Sequence, residues 1–545
     1  MKVPPTKGTR RPRCANAWTA QLPAATALIA LALTLVPVAR ANEAPPADVS
    51  AGPPADVSAG GHSAVAAAET LQLGRLEFKA CEVGAQRGNG VPTQAAFCAT
   101  FAVPENWEEP AGRHIGLRVA LVRSMAAEAD RDIVVFLDGG PGGAATEDYP
   151  ALAAAFSPLR NHHHILLIDQ RGTGASNPLA CGDELALDVD KPSRSAGTRS
   201  EPAAQLARIR RCLAALAPKA APQFYTTSEA VRDLESVRQA LGDPPLDLVG
   251  VSYGTRVAQQ YALRYPQSVR SVVLDSAVPN RLVLLSEHAR NLEDVVRLRL
   301  ARCRADTACS GRFGDPYASL RVVLERLRQH PQAIDLRDPQ SFALVRRTLG
   351  PDDLAALVRF YTYSASTSAL LPYVITEARD GRYGPLLGQA QLVVGDLAER
   401  LDGGMSASVL CAEDGDLLRQ RPEDEGTLLG SGPVRAALLA CKVWPHRAQP
   451  ADFHQAFHTS VPVLVLAGEL DPVTPPRYGT EIVDALPRAR LLIAPGQGHA
   501  VIGAGCMPKL VGDFVQQLEP ARLDDHCLQI LGETAIFLDA NGSAP

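Results

Sequence analysis

The chain has 545 residues, 46% hydrophobic, 21% charged and 5% aromatic, the composition of a globular protein with room for a large core and a second domain. Its formal net charge is −5, which excludes a protein built to hold nucleic acid or an anionic membrane through a basic surface.

The N-terminus differs from the rest. Lys2, Lys7, Arg10, Arg11 and Arg13 form a basic head, an apolar run extends from Leu22 to Val38, and Ala39-Arg40-Ala41 supplies a small-x-small cleavage site. This pattern predicts a signal peptide over residues 1–41 and an exported product, periplasmic or secreted. Pro23 and Pro37 bound an apolar run shorter than the ~20 residues of a membrane span. No later run is longer, so no span is expected after cleavage. Removing residues 1–41 takes away six basic residues and no acidic one, which moves the formal charge from −5 to −11.

Next comes Pro45-Pro46-Ala47-Asp48-Val49-Ser50-Ala51-Gly52, repeated at once as Pro53 to Gly60. Proline and small residues bury no core, so residues 42–68 read as a disordered linker. The pattern then alternates strand and helix. Apolar, β-branched runs at Ile115–Val122, Ile133–Leu137, Ile165–Ile168, Leu246–Val249, Val272–Leu274, Val463–Ala467 and Leu491–Ala494 read as strands. The later ones are too unbroken for a half-exposed sheet, which predicts a mostly parallel central sheet with helices on both faces. Thr226-Thr227-Ser228-Glu229 is a capping box that opens a helix with Ala230, Leu234, Val237 and Leu241 on one face. A further helix follows Ser252 and ends at Pro266.

The alternation stops between Pro279 and Val461, where helical periodicity dominates. The expected organisation is an α/β core over 69–279 and 461–535, a large helical cap over 280–460, and a tail over 536–545. Without Cys14 ten cysteines remain, as sequence neighbours: Cys81/Cys98, Cys181/Cys212, Cys303/Cys309, Cys411/Cys441 and Cys506/Cys527. None has zinc-ligand spacing, so five disulfides in an oxidising compartment are expected; neighbour pairing is one of many connectivities.

The chemistry centres on Gly250-Val251-Ser252-Tyr253-Gly254, which lies between a strand and a helix. A sharp turn there lifts the serine hydroxyl above the sheet and aims a helix N-terminus at the developing oxyanion. Asp138-Gly139-Gly140-Pro141-Gly142-Gly143 follows an earlier strand, so backbone N–H groups of Gly140 (or Gly139) and Tyr253 are the expected oxyanion donors. Asp471, after the strand Val463–Ala467, and His499, after Leu491–Ala494, complete the order Ser, acid, His. Glu469 is the second choice for the acid. His162-His163-His164 invites a metal reading, but adjacent histidines at a strand start point to opposite faces, so no metal and no cofactor is expected.

These segments resemble the α/β-hydrolases related to proline iminopeptidase and the secreted tripeptidyl aminopeptidases. Asp169-Gln170-Arg171-Gly172-Thr173-Gly174-Ala175-Ser176, Ser252-Tyr253-Gly254-Thr255, Leu274-Asp275-Ser276-Ala277-Val278-Pro279 and Asp471-Pro472-Val473-Thr474-Pro475 carry the likeness, as do Cys411 with Glu413, and Cys441 with Trp444-Pro445. The resemblance implies an α/β-hydrolase fold and hydrolysis of peptides from a free N-terminus by a serine acyl-enzyme route. It also implies cap carboxylates that bind the substrate ammonium, with Glu413 and Asp414 as candidates and Asp416 behind them. One departure stands out: the family often has His before the double glycine, where this chain has Asp138. The substrate is then a peptide or, on the alternative reading, a small ester or amide. Dehalogenase and epoxide hydrolase chemistry would place Asp where Ser252 stands, and an inactive binding module would not need the full set of residues.

Overall fold

The computed structural model describes residues 70–84, 92–181, 202–337, 342–390 and 403–543. The expected signal peptide and linker lie outside these residues.

The chain opens with an antiparallel meander of β1 (Thr70–Leu73), β2 (Leu76–Val83), β3 (Gln94–Pro104) and β4 (His114–Val122). Only β4 is legible in the sequence. β2 mixes Lys79, Ala80 and Glu82 into a half-exposed strand and β3 is rich in alanine, both poor signals for strand. β4 pairs antiparallel with β6 (His164–Ile168), and from there the sheet is parallel. β5 (Ile133–Leu137) lies between β6 and β7 (Leu246–Val251), followed outward by β8 (Val269–Asp275). β11 (Val463–Gly468) and β12 (Ala489–Ala494) complete the ten-stranded order β1-β2-β3-β4-β6-β5-β7-β8-β11-β12.

Every residue of β7 and β11 is buried, as an apolar strand covered on both faces requires. One core cluster joins Val135, Leu248 and Val272 to helix residues Leu234, Val257 and Ile482; another joins Phe136, Val249 and Leu466 to Tyr149, Leu510 and Phe514. Side chains alternate along each strand between the two faces, so both faces carry helices. Fully burying one such Leu or Val contributes about 1.5–3 kcal/mol. A charged residue at Val249 would remove that and bury an unpaired ion.

From β5 the chain moves to one side to form β6, then crosses back past β5 to form β7, from which it continues outward to β8. Loops after β5 and β7 therefore splay apart at the carboxyl ends and open a crevice there.

Between β8 and β11 the chain runs mainly through helices, with one antiparallel hairpin, β9 (Gln332–Arg337) and β10 (Leu344–Leu349), that helical periodicity did not announce. This segment divides between two cores. Leu292, Leu324, Leu357, Ile375 and Leu386 build a cluster of their own, whereas Met405, Leu410, Leu418, Val434 and Trp444 join the main sheet cluster. The expected tail is also packed: Ile536 and Leu538 lie against Cys303, Cys309 and Phe313, and the Phe537 N–H donates to Ala369 O. Five disulfides join the neighbouring cysteines, Cys81–Cys98, Cys181–Cys212, Cys303–Cys309, Cys411–Cys441 and Cys506–Cys527.

Candidate active site

Ser252 follows β7 at φ 53° and ψ −122°, a conformation that costs a side-chain-bearing residue on the order of 1–3 kcal/mol. The surroundings hold it there. A Cβ on Gly250 would stand 2.5 Å from Gly254 O, and one on Gly254 would stand 2.0 Å from Leu137 O, so both motif glycines answer a close backbone approach. Thr255 Oγ1 donates to Ser252 O at 2.5 Å, and helix α3 follows directly (α1, Ala145–Leu152; α2, Thr227–Ala240; α3, Tyr253–Arg264).

The glycine loop after β5 lies against this turn. A Cβ on Gly139 would be 3.2 Å from Ser252 Cβ and 3.8 Å from its Oγ. The Gly139 N–H donates to Asp138 Oδ1 at 2.7 Å, so it is already engaged. Among the described residues no hydrogen bond uses the N–H of Gly140, and Tyr253 opens its helix with an N–H that has no partner in the preceding turn. Those two donors are available to an oxyanion.

At the end of β11, Asp471 is buried and its Oδ2 lies 2.8 Å from His499 Nδ1. The Val473 and Thr474 N–H groups donate to Asp471 Oδ1 at 2.8 Å each, and Thr474 Oγ1 donates to Oδ2 at 2.9 Å. Burial pushes the Asp471 pKa up, but the nearby His499 charge and these hydrogen bonds outweigh it and hold the carboxylate below its usual 3.8. His499 responds in reverse. Burial pushes it down, the Asp471 charge and hydrogen bond push it further up, and the net pKa lies above 6.5. Glu469, the other acid in this loop, instead accepts from Arg302 Nη2 at 2.5 Å and the Gly496 N–H at 2.7 Å.

Two motifs that sequence reasoning left without a role frame these groups. Asp275, at the end of β8, accepts the Ser252 N–H on its backbone oxygen at 2.9 Å. Its carboxylate accepts Val501 N–H at 3.0 Å and Ile502 N–H at 2.7 Å, while Ser276 Oγ accepts Ala500 N–H at 2.8 Å. The Asp169–Ser176 segment is a brace: Asp169 binds the start of α1, Gln170 donates to Tyr253 OH at 3.1 Å, and buried Arg171 pairs with Asp233 at 2.5 Å.

The cap reaches the same place. The His499 N–H donates to Tyr363 O at 2.8 Å, and the Tyr363 ring meets the imidazole edge-on at 5.1 Å. His288 opens helix α4 (His288–Ala305); burial and then the charges of Arg359 and His499 hold its pKa down to about 3, so it is neutral. Sequence reasoning missed His288, Arg359 and Tyr363, because the cap carries no motif that marks them.

Glu413 and Asp414 lie elsewhere than expected. Both side chains are fully enclosed, and Arg256 Nη1 lies 3.4 Å from Glu413 Oε2 and 2.9 Å from Asp414 Oδ2. Glu413 Oε1 accepts the Thr227 N–H at 2.8 Å at the start of α2. Burial raises the Glu413 pKa to about 7 against the opposing charge of Arg256. This arrangement leaves neither carboxylate open to a substrate ammonium, and Asp416 is exposed. Of the three histidines, buried His163 lies 3.0 Å from Asp132 and within 3.8 Å of Asp130, a grouping able to hold a metal ion. Arg270, 3.1 Å from the same Asp132 oxygen, supplies the balancing charge.

Residues 132–300 match the family model of the alpha/beta hydrolase fold, and residues 430–527 match that of the TAP-like proteins. The chain has the α/β-hydrolase fold. It is similar to the serine protease Hip1 of Mycobacterium tuberculosis (strain ATCC 25618 / H37Rv), 27% identical over 464 residues that cover 77% of this chain and 85% of that protein. It is also similar to a tripeptidyl aminopeptidase of Streptomyces lividans, 26% identical over 469 residues, 81% of this chain and 84% of that one. Carboxylesterase B of Mycobacterium tuberculosis (strain CDC 1551 / Oshkosh) is 25% identical over 440 residues, 76% and 82%. The TAP-like match begins in the part of the cap that joins the main core and runs to the final disulfide.

Proposed function

We propose that this chain is an exported serine peptidase that releases short peptides from a free N-terminus, with Ser252, His499 and Asp471 as its catalytic set. The observation that carries the reading is that Asp275 holds both a serine in a strained strand-to-helix turn, through its backbone oxygen, and the loop after His499, through its carboxylate, while His499 is itself paired with buried Asp471. The kinship to a serine protease and a tripeptidyl aminopeptidase supports the peptide substrate.

In the reaction, His499 takes the Ser252 proton as Oγ attacks the scissile carbonyl, and Asp471 stabilises the imidazolium that results. The Gly140 and Tyr253 N–H groups receive the oxyanion. His499 then returns its proton to the leaving amine, and water repeats the sequence to free the acyl group. No cofactor enters. Disulfides and the basic-apolar-small N-terminal pattern support export.

The test is turnover of free and N-acetylated mono-, di- and tripeptide chromogenic substrates, alongside fluorophosphonate labelling. Labelling lost in Ser252→Ala, with blocked peptides at least tenfold poorer substrates than free ones, is the expected result. Equal turnover of blocked and free peptides would overturn the aminopeptidase reading. It would leave an esterase or amidase on the same residues, a second reading that the enclosure of Glu413 and Asp414 and the kinship to carboxylesterase B favour.

A further inference from the structure

One helix of the cap grips both loops that carry Asp471 and His499. Asn291 and Arg299 lie on α4 at a spacing that puts them near one face of the helix, and both are buried. Asn291 Nδ2 donates to Val473 O at 2.8 Å, and its Oδ1 accepts from Arg477 Nη2. Val473 is also the residue whose N–H donates to Asp471 Oδ1, so Asn291 holds the residue that holds the acid. Arg299 Nη2 donates to Gly496 O at 3.3 Å, in the loop that leads into His499. The same guanidinium reaches back into the cap, where Nη1 donates to Ala365 O at 3.5 Å and to Ser368 Oγ.

Arg302, one turn further along α4, completes the grip. Its Nη2 pairs with Glu469 at 2.5 Å, and Glu469 Oε2 accepts the Gly496 N–H at 2.7 Å. Gly496 is thus held from α4 through its carbonyl and, by way of Glu469, through its N–H. Nearer the imidazole, a Cβ on Gly498 would stand 2.3 Å from Tyr363 O, the oxygen that takes the His499 N–H. Among the described residues no carboxylate forms an ion pair with Arg299, whose acceptors are all neutral. A buried guanidinium without a counter-charge gives up its hydration for little return, so a packed apolar side chain would serve the cap at least as well. Burial accordingly holds the Arg299 pKa below its usual 12.5, against the charge of Glu533. What the guanidinium supplies, and an apolar side chain lacks, is the link from the cap to the histidine loop.

Resting on the reading of Asp471 and His499 as the catalytic acid and base, we propose that Asn291 and Arg299 are positioning residues: α4 splints the acid loop to the histidine loop and sets the imidazole for proton transfer. The bond between Asp471 and His499 fixes the pair internally but not its place relative to Ser252. Asp275 and Ser276 hold the histidine loop from the core, through the residues after His499. Arg299 and Tyr363 hold it from the cap, through Gly496 and His499 itself. The stretch Gly496-Gln497-Gly498 has two glycines and little stiffness of its own, so the hold from the cap decides how the loop enters His499. The cap on this reading is part of the catalytic scaffold as well as a cover.

The experiment measures turnover and the rate of fluorophosphonate labelling, both per titrated Ser252, in the full chain. The variants are Asn291→Ala, Arg299→Met and Arg299→Lys, each alone and combined with Asp471→Asn. Asn291→Ala and Arg299→Met are each expected to lower kcat about 10–100-fold, with KM within about threefold of wild type. The labelling rate should fall by the same factor, because the probe needs His499 but no peptide site. Arg299→Lys reaches one of the two anchors and is expected to recover about fivefold or more of the loss in Arg299→Met. With Asp471→Asn the orientation of the imidazole is already lost, so the same substitutions should then slow labelling by less than about threefold. Rates per titrated site do not register a merely smaller folded fraction, and Asn291→Ala and Arg299→Lys read the same splint where Arg299→Met does not fold. Rates within about twofold of wild type, a raised KM with unchanged labelling, or equal losses with and without Asp471→Asn overturn the proposal while leaving Ser252 as the nucleophile. Absence of any labelling at Ser252 in the wild-type chain overturns the underlying reading as well.

Discussion

Asp275 holds Ser252 and the histidine loop at once: its backbone oxygen takes the Ser252 N–H at 2.9 Å, and its carboxylate takes the N–H groups of Val501 and Ile502. One residue at the end of β8 thus fixes the relative position of two groups that come from opposite ends of the domain's sequence. Burial raises the Asp275 pKa to about 6 even with these donors in place.

Replacement of Asp275 by Ala is therefore expected to leave two buried N–H groups without an acceptor, at about 1–3 kcal/mol each, and to loosen the loop that carries His499. The expected outcome is a drop in kcat of about 10–100-fold with a lesser change in KM, since misplacement of a reacting group by a fraction of an ångström weakens the transition state most. Steady-state kinetics of Asp275→Ala and Asp275→Asn check this. Equal losses in kcat and 1/KM would instead point to a disturbed binding site.

The φ of Ser252 predicts a stability difference between two dead variants. Both Ser252→Ala and Ser252→Gly remove the nucleophile and are expected to lower turnover by several orders of magnitude. Glycine alone adopts φ 53° and ψ −122° without strain. Ser252→Gly should then melt higher than Ser252→Ala, by about 1 kcal/mol, because the relief of strain exceeds the added freedom of the unfolded chain. A higher melting temperature for the alanine variant would mean that the turn is not strained.

The Asp471–His499 pair sets the acid limb of activity. His499 must be neutral to accept a proton, and its pKa is raised above 6.5, so turnover should fall with decreasing pH through a midpoint above 6.5. For stability, the raised His499 value contributes fully below pH 6.5 and is lost as pH rises through the folded pKa. The lowered Asp471 value contributes above pH 3.8 and is lost as pH falls through its folded pKa. The melting-temperature gap between wild type and Asp471→Asn is thus expected to be widest near pH 5 and to narrow on the alkaline side. The same variant should lose about 10⁴-fold in turnover, as the imidazole loses its orientation and counter-charge.

The parts of this protein that the sequence exposes are those where one local constraint dominates. β5, β7 and β11 are unbroken apolar runs because both faces of the sheet are covered, and the Ser252 turn is marked by two glycines that no other residue replaces. β2 and β3 lack that signal, since β2 exposes Glu77, Lys79 and Glu82 and β3 spreads its four alanines over exposed and buried positions alike. The acid at Asp471 was legible from its strand end, although only the structure shows why Glu469 serves Arg302 instead. The enclosure of Glu413 could not be read: it depends on Arg256, 157 residues away in sequence, and on a cap segment that folds into the main core. The same holds for Asp275, whose partners lie 226 and 227 residues further on.

That burial of Glu413 leads to the last prediction. Arg256, Glu413 and Asp414 bring one positive and two negative groups together with no solvent access. Removing the cation with Arg256→Met leaves two enclosed carboxyl groups to take up protons or open the cluster, at about 3–5 kcal/mol, and should lower the melting temperature sharply. Glu413→Gln keeps an oxygen for the Thr227 N–H and removes the excess negative charge, so it is expected to fold and to alter stability far less. Because the carboxylate is not open to substrate, Glu413→Gln should change KM for free-amine and N-acetylated peptides by the same factor. A loss confined to free-amine peptides, tenfold or more, would instead assign the substrate ammonium to Glu413, since an ion pair at a desolvated site is worth more than a single tenfold step, about 1.4 kcal/mol.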